Sequence, residues 1–299
     1  MSRFGALLGL IGLTLLPSWL ALAAPASERA DIHLHYKWNQ RELTSPEAAL
    51  EALRENRVRL AGVIGTPPEL ARELQRTDPD RVFAWYGPYS TPADWSRWYF
   101  DEDLPERAEA ALASGDYRGI GELHLLGGFA PSWDTPVLSR LLELSERFRA
   151  PLMLHVEFGR ADYLLGLCKQ RPEARLLLAH AGAPMPAREV RRAQEACPNL
   201  WWELSARDPW RYTGTPILDE QGHLKPEWKQ LVLDFSERLM LGSDPVWPVD
   251  QLDRWDEADS GWQHIGRFWD AHEVWLEELP EPVAARIRLE NALEYFARD

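Results

Sequence analysis

Asp31-Ile32-His33-Leu34-His35 reads as the end of a β-strand that carries a metal site. Polar and apolar residues alternate there, and a strand's period of two sends Asp31, His33 and His35 to one side. Two imidazoles spaced in this way can hold one ion between them. Solvated histidines near a chain start would look the same, so residues elsewhere in the chain have to decide.

Working outward, short apolar runs recur over 30–35, 59–64, 82–86, 119–123, 152–156, 175–179, 200–204 and 239–241. Amphipathic stretches separate them. Ser45-Pro46-Glu47 opens one helix, with Ser45 as N-cap and Pro46 in the first turn. Further helices are expected over 69–77, 105–114, 135–148, 161–169, 187–196 and 282–297. A loop rich in Trp, Tyr and Asp covers 87–103. Strands alternating with helices imply a parallel sheet. Eight such units in roughly 270 residues suit a single α/β domain, a closed (β/α)8 TIM barrel over residues 24–299. An open doubly wound sheet is the alternative. It would want a Gly-x-Gly-x-x-Gly loop after an early strand, and the chain has none.

In such a barrel the C-terminal strand ends form the active site. His33 and His35 end the first run, Glu122 and His124 the fourth, His155 and Glu157 the fifth. His180 ends the sixth, Ser205 the seventh and Asp244 the eighth. Any one of them could be an ordinary hydrogen-bonded or salt-bridged residue. Imidazoles and carboxylates gathered at separate strand ends point to a divalent metal of the zinc type.

These residues give the chain a resemblance to the amidohydrolase superfamily, in particular its amidohydrolase-2 branch of lactonases and decarboxylases. The resemblance spans the segment from Asp31-Ile32-His33-Leu34-His35 through Leu154-His155, His180-Ala181-Gly182 and Gly242-Ser243-Asp244-Pro245 to the closing Arg288–Phe296, with its Asn291-Ala292 pair. It implies His33, His35, His155 and Asp244 as metal ligands, and His180 as a ligand or as the group that polarises the substrate. Gly119-Ile120-Gly121-Glu122 is similar to the fourth strand of TatD-type deoxyribonucleases, whose Glu binds metal. That similarity implies a bridging or second-ion role for Glu122. The lysine that bridges two metals in some superfamily members is missing from this strand, so the count stays at one or two ions, with Zn²⁺ as the first choice.

The formal net charge of -14 repels phosphate backbones and anionic membrane surfaces. A small-molecule substrate is expected, not nucleic acid. Residues 1–23 combine Arg3, an apolar run and Ala21-Leu22-Ala23, which reads as a cleaved secretory signal rather than a lasting membrane anchor. The expected address is the periplasm or outside the cell. Cys168 and Cys197 fall on consecutive expected helices, which permits a disulfide and does not require one.

The chain holds 15 tryptophans. Trp38, Trp95, Trp98, Trp133, Trp210 and Trp247 lie on loops after strands. Most are expected in ordinary packing, with Trp38 and Trp247 as candidates for a substrate wall. Lys37, Arg160, Arg207 and Arg211 could neutralise a substrate carboxylate, or be solvated loop charge. The leading expectation is a metal-dependent hydrolase of a lactone, ester or amide. In it Asp244 moves the proton, His180 polarises the carbonyl, and Ser205 and Arg207 position substrate. Non-hydrolytic decarboxylation and a silent metal- or ligand-binding barrel are the alternatives.

Overall fold

Strands with apolar residues on both faces need cover on both, and a closed barrel provides it. The computed structural model describes residues 27–127, 130–210, 215–248 and 257–297. β1 (Arg29–Lys37), β2 (Val58–Thr66), β3 (Val82–Tyr86), β4 (Tyr117–Leu125), β5 (Leu152–Val156), β6 (Leu176–Leu178), β7 (Leu200–Leu204) and β8 (Leu239–Leu241) form one parallel sheet in sequence order. This is the single (β/α)8 TIM barrel expected from the sequence. The signal segment and Arg211 lie outside the described residues.

The inner face is filled by Phe83, Trp85, Met153, Leu177 and Met240. Their chain neighbours Val82, Ala84, Leu152, Leu154, Leu176, Leu178, Leu239 and Leu241 pack outward under the helices. The helical stretch from Glu281 to Tyr295 brings Ala292, Tyr295 and Phe296 to the inner group. Phe296 packs against Phe83, ring centroids 4.4 Å apart, across the N-terminal end of the barrel.

The strict alternation read for β1 is broken. Its pairing with β2 slips between Asp31 and Leu34. Ile32 belongs to the inner group while Leu34 packs outward. Asp31 therefore does not share a face with His33 and His35. Its carboxylate accepts from Ser243 N at 2.9 Å and from the indole of Trp269 at 3.0 Å. Full burial pushes its pKa up to about 6. A bulge re-aims a side chain in this way without ending the strand. Asp31 helps to close the barrel seam, together with Asp244 N donating to His33 O at 2.8 Å.

Ser45 caps the helix Pro46–Glu55, accepting from Ala48 N at 3.3 Å. Helices Pro226–Asp234 and Ile265–Leu276 do not figure in the sequence reading. In the second, buried Ile265, Phe268, Trp269, His272, Trp275 and Leu276 keep the helical period, with aromatics in place of the usual aliphatics. Cys168 and Cys197 are joined in a disulfide, with Cα atoms 5.6 Å apart, tying together two consecutive helices. Among the described residues no helix is long and apolar enough to cross a membrane.

Candidate metal centre

Two residues beyond the apolar layer, the inward positions turn polar. His33 and His35 on β1, Glu122 on β4, His155 on β5 and His180 just after β6 converge on one point of the mouth. His33 has room because β8 continues into Gly242, where an added Cβ would stand 2.5 Å from the His33 Cβ. The Glu122 carboxylate lies at the centre, and its two oxygens face different partners.

Oε2 lies 3.3 Å from His35 Nε2 and 3.5 Å from His33 Nε2, and those two nitrogens are 3.2 Å apart. Oε1 lies 2.9 Å from His155 Nδ1 and 3.0 Å from His180 Nε2, and those nitrogens are 3.1 Å apart. Ligands about 2.0–2.1 Å from a tetrahedral zinc stand roughly 3.3 Å from one another. Both triads have edges of that length, so the donor atoms fit one divalent ion each. Asp244 Oδ1 stands 3.8 Å from His35 Nε2, at the open side of the first triad.

The electrostatics suit a cation. Burial opposes charge on all these groups. At His33 it pushes the pKa down, but the Glu122 and Glu203 carboxylates outweigh it and hold the imidazole well above its ordinary value. At His155 the same opposition, with Glu122 and Glu157 as counter-charges, leaves a pKa of about 9. Burial would raise Glu122, yet the surrounding imidazoles hold it well below the carboxylate range. Burial pushes His35 down, and His124 well down.

A family model described as amidohydrolase matches residues 30–298. The chain belongs to the amidohydrolase family. Family members bind divalent metals, and this amidohydrolase is a metal-dependent enzyme by membership and by its donor set. Among solved structures, a TatD homologue from Escherichia coli K12 is similar at 15% identity, covering 91% of this chain and 98% of that one, with a TM-score of 0.61. An amidohydrolase from Burkholderia multivorans with bound HEPES is similar at 16% identity, covering 91% of this chain and 100% of that one, TM-score 0.57. A structure of an amidohydrolase from the same organism holds zinc; it is similar at 16% identity with the same coverage and a TM-score of 0.55. At these identities the likeness is one of fold. A search of curated proteins finds no sequence match.

Around the donor triads, this amidohydrolase uses several residues differently from the sequence reading. Glu203, not singled out there, is fully buried behind the histidines. Its Oε1 is 2.9 Å from His33 Nδ1 and accepts from His180 N at 2.8 Å and from Ser205 Oγ at 3.0 Å. Leu200, Trp202 and Leu204 pack outward, which leaves Glu203 facing in; that parity is the signal that could have found it. Ser205 is buried too, 2.7 Å from His180 Nδ1, where it orients the ring instead of meeting a substrate. Arg207 is buried and donates to the carbonyls of His180, Ala181, Met185 and Thr215. It props up the loop that presents His180, so the substrate-carboxylate role expected for it gives way to a structural one. Lys37 is paired with Asp259 at 3.1 Å, and exposed Arg160 with Asp162 at 2.7 Å. Trp38 and Trp247 are half-buried, the latter beside His264 and Arg267 on the loop after β8. Trp95 stacks on His124 and the Trp98 indole donates to the His124 carbonyl, which brings both tryptophans up to the site.

Proposed function

We propose that this amidohydrolase hydrolyses a lactone, ester or amide bond in a small organic molecule. The observation that carries the proposal is the division of Glu122, with one oxygen toward His33 and His35 and the other toward His155 and His180. In this reading His33, His35, Glu122 and Asp244 would hold one ion, and Glu122, His155 and His180 a second. Zinc best matches an imidazole-rich set of this spacing. When bound, such ions polarise a carbonyl and lower the pKa of water toward about 7.

The side chains supply the rest. Glu203 accepts the Nδ1 proton of His33, which leaves the Nε2 lone pair toward the triad. Asp244 takes the proton of the attacking water and returns it to the leaving group. Its backbone is held by His33 O, and its φ of 43° is a left-handed conformation that Asp tolerates better than most residues. Trp38 and Trp247 would flank the substrate at the mouth. The net charge of -14 supports a small-molecule substrate over nucleic acid. The Cys168–Cys197 bond supports export to an oxidising compartment, the periplasm or beyond.

Across a panel of lactones, esters and amides, zinc- or manganese-loaded protein should release acid from at least one lactone or ester, followed by pH-stat titration, or free amine from at least one amide, followed by an amine assay. Evolution of CO2 from carboxylates, without acid release, would replace hydrolysis by decarboxylation. Asp244→Asn should lower turnover about 10²- to 10⁴-fold while the fold and some metal remain. Near-wild-type turnover in that variant would move the base to another residue.

A further inference from the structure

His124 follows Glu122 by two residues on β4 and shares its inward face. Its ring is clamped between two others. Trp95 stacks on one side with centroids 4.1 Å apart and planes 15° apart; His155 stacks on the other at 4.4 Å and 24°. Every polar atom of His124 but one has a partner. The backbone N–H donates to Tyr89 Oη at 2.9 Å, the carbonyl accepts from Trp98 Nε1 at 2.9 Å, and Nδ1 lies 3.2 Å from Tyr89 Oη.

Tyr89 is buried, and its phenol has one proton to give. The hydroxyl already accepts from the His124 backbone. Donating to Nδ1 satisfies both the phenol and the ring, whereas the opposite arrangement leaves the phenol proton buried without an acceptor. The ring proton is thereby fixed on Nε2. That atom lies 3.7 Å from Glu122 Oε2, beyond hydrogen-bond range, so its N–H stays at the edge of the donor cluster. His124 stands close enough to Glu122 and His155 to form a donor group with them. In this tautomer, however, Nε2 offers no lone pair. A metal could take that atom only by moving the ring proton to Nδ1 and leaving the Tyr89 phenol proton without its acceptor.

We propose that His124 is a catalytic hydrogen-bond donor, whose Nε2–H meets the substrate oxygen that gains negative charge in the reaction. The proposal rests on the hydrolytic reading above and assigns the residue that would stabilise the oxyanion. A rigid donor aimed at developing charge is worth more than one that must reorient, because its alignment is fixed before the reaction begins. The ligand class is a carbonyl that becomes a tetrahedral oxyanion.

The test uses zinc-loaded full-length protein and methylphosphonate, a tetrahedral oxyanion that needs no turnover. In ¹⁵N NMR of the wild type, His124 should carry its proton on Nε2, and that proton should move downfield as methylphosphonate is added. His124→Asn should keep the full zinc content, weaken methylphosphonate binding about tenfold or more, and lower kcat by about 10²- to 10³-fold at nearly unchanged KM on whichever ester the panel yields. His124→Gln places an amide N–H nearer the ε position and should retain more activity than Asn. Tyr89→Phe should give mixed tautomers at His124. A proton on Nδ1 overturns the proposal, as does loss of zinc in His124→Gln, or unchanged methylphosphonate affinity in His124→Asn. If the wild type hydrolyses nothing in the panel, the hydrolytic reading fails by itself. The methylphosphonate titration then decides His124, and an unmoved Nε2–H signal sinks it.

Discussion

At the N-terminal end of the barrel Met153 and Trp201 face inward, among Phe83, Trp85 and Phe296. Two residues further along the same strands stand His155 and Glu203, within reach of His180 and His33. A step of two residues, about 6.6 Å along a strand, changes the interior from apolar packing to a nest of imidazoles and carboxylates. The lower layer stabilises by excluding water, and any shape that fills it will serve. The upper layer holds charge away from water and tolerates it only because each group finds a partner. Stability and chemistry are thus stacked along one axis, and each layer should be breakable without the other.

The largest effect is expected at Glu122. Glu122→Gln removes the carboxylate shared by both triads. Bound metal, counted by elemental analysis, should drop by half or more, and turnover should fall at least roughly 10³-fold, since several kcal/mol of charge stabilisation go with the ions. Full metal content in that variant would remove Glu122 from the centre.

The converse break is Phe83→Ala, in the lower layer against Phe296. It should cost about 3–5 kcal/mol in denaturant unfolding, the usual scale for deleting a buried aromatic. Metal stoichiometry should stay at the wild-type value. A variant that keeps its stability but loses metal would mean that the two layers are not separable.

The smallest effect sharpens the comparison through pH. In the metal-free protein His155 holds its proton up to about 9, because Glu122 and Glu157 favour the cation. At pH 7 an ion taking its Nδ1 lone pair must expel that proton, so zinc affinity should rise by about tenfold per pH unit between 7 and 9 for each proton displaced. Calorimetry in buffers of different ionisation enthalpy should count at least one proton released per zinc-loaded chain at pH 7. Affinity independent of pH would place His155 outside the ligand set.

The order of the strands, the barrel and the convergence of His33, His35, Glu122, His155, His180 and Asp244 were legible in the sequence, whereas the helices Pro226–Asp234 and Ile265–Leu276 were not. Strand periodicity and strand-end position are local properties, and in a parallel barrel every C-terminal strand end arrives at one mouth. The face of Asp31 was not legible, because the slip between β1 and β2 depends on how two distant strands pair. Nor were the roles of Ser205 and Arg207, which are set by the His180 ring and by the carbonyls of the loop around it. Lys37 resembles a free cation until Asp259, more than 200 residues away in the chain, is folded against it. The disulfide was open for the same reason: spacing permits it, and only the packing of two helices brings the Cα atoms to 5.6 Å. What a side chain is able to do follows from its type and its place on a strand. Whether a buried donor or charge is spent on the fold or left for chemistry is decided by the neighbours that the tertiary structure supplies.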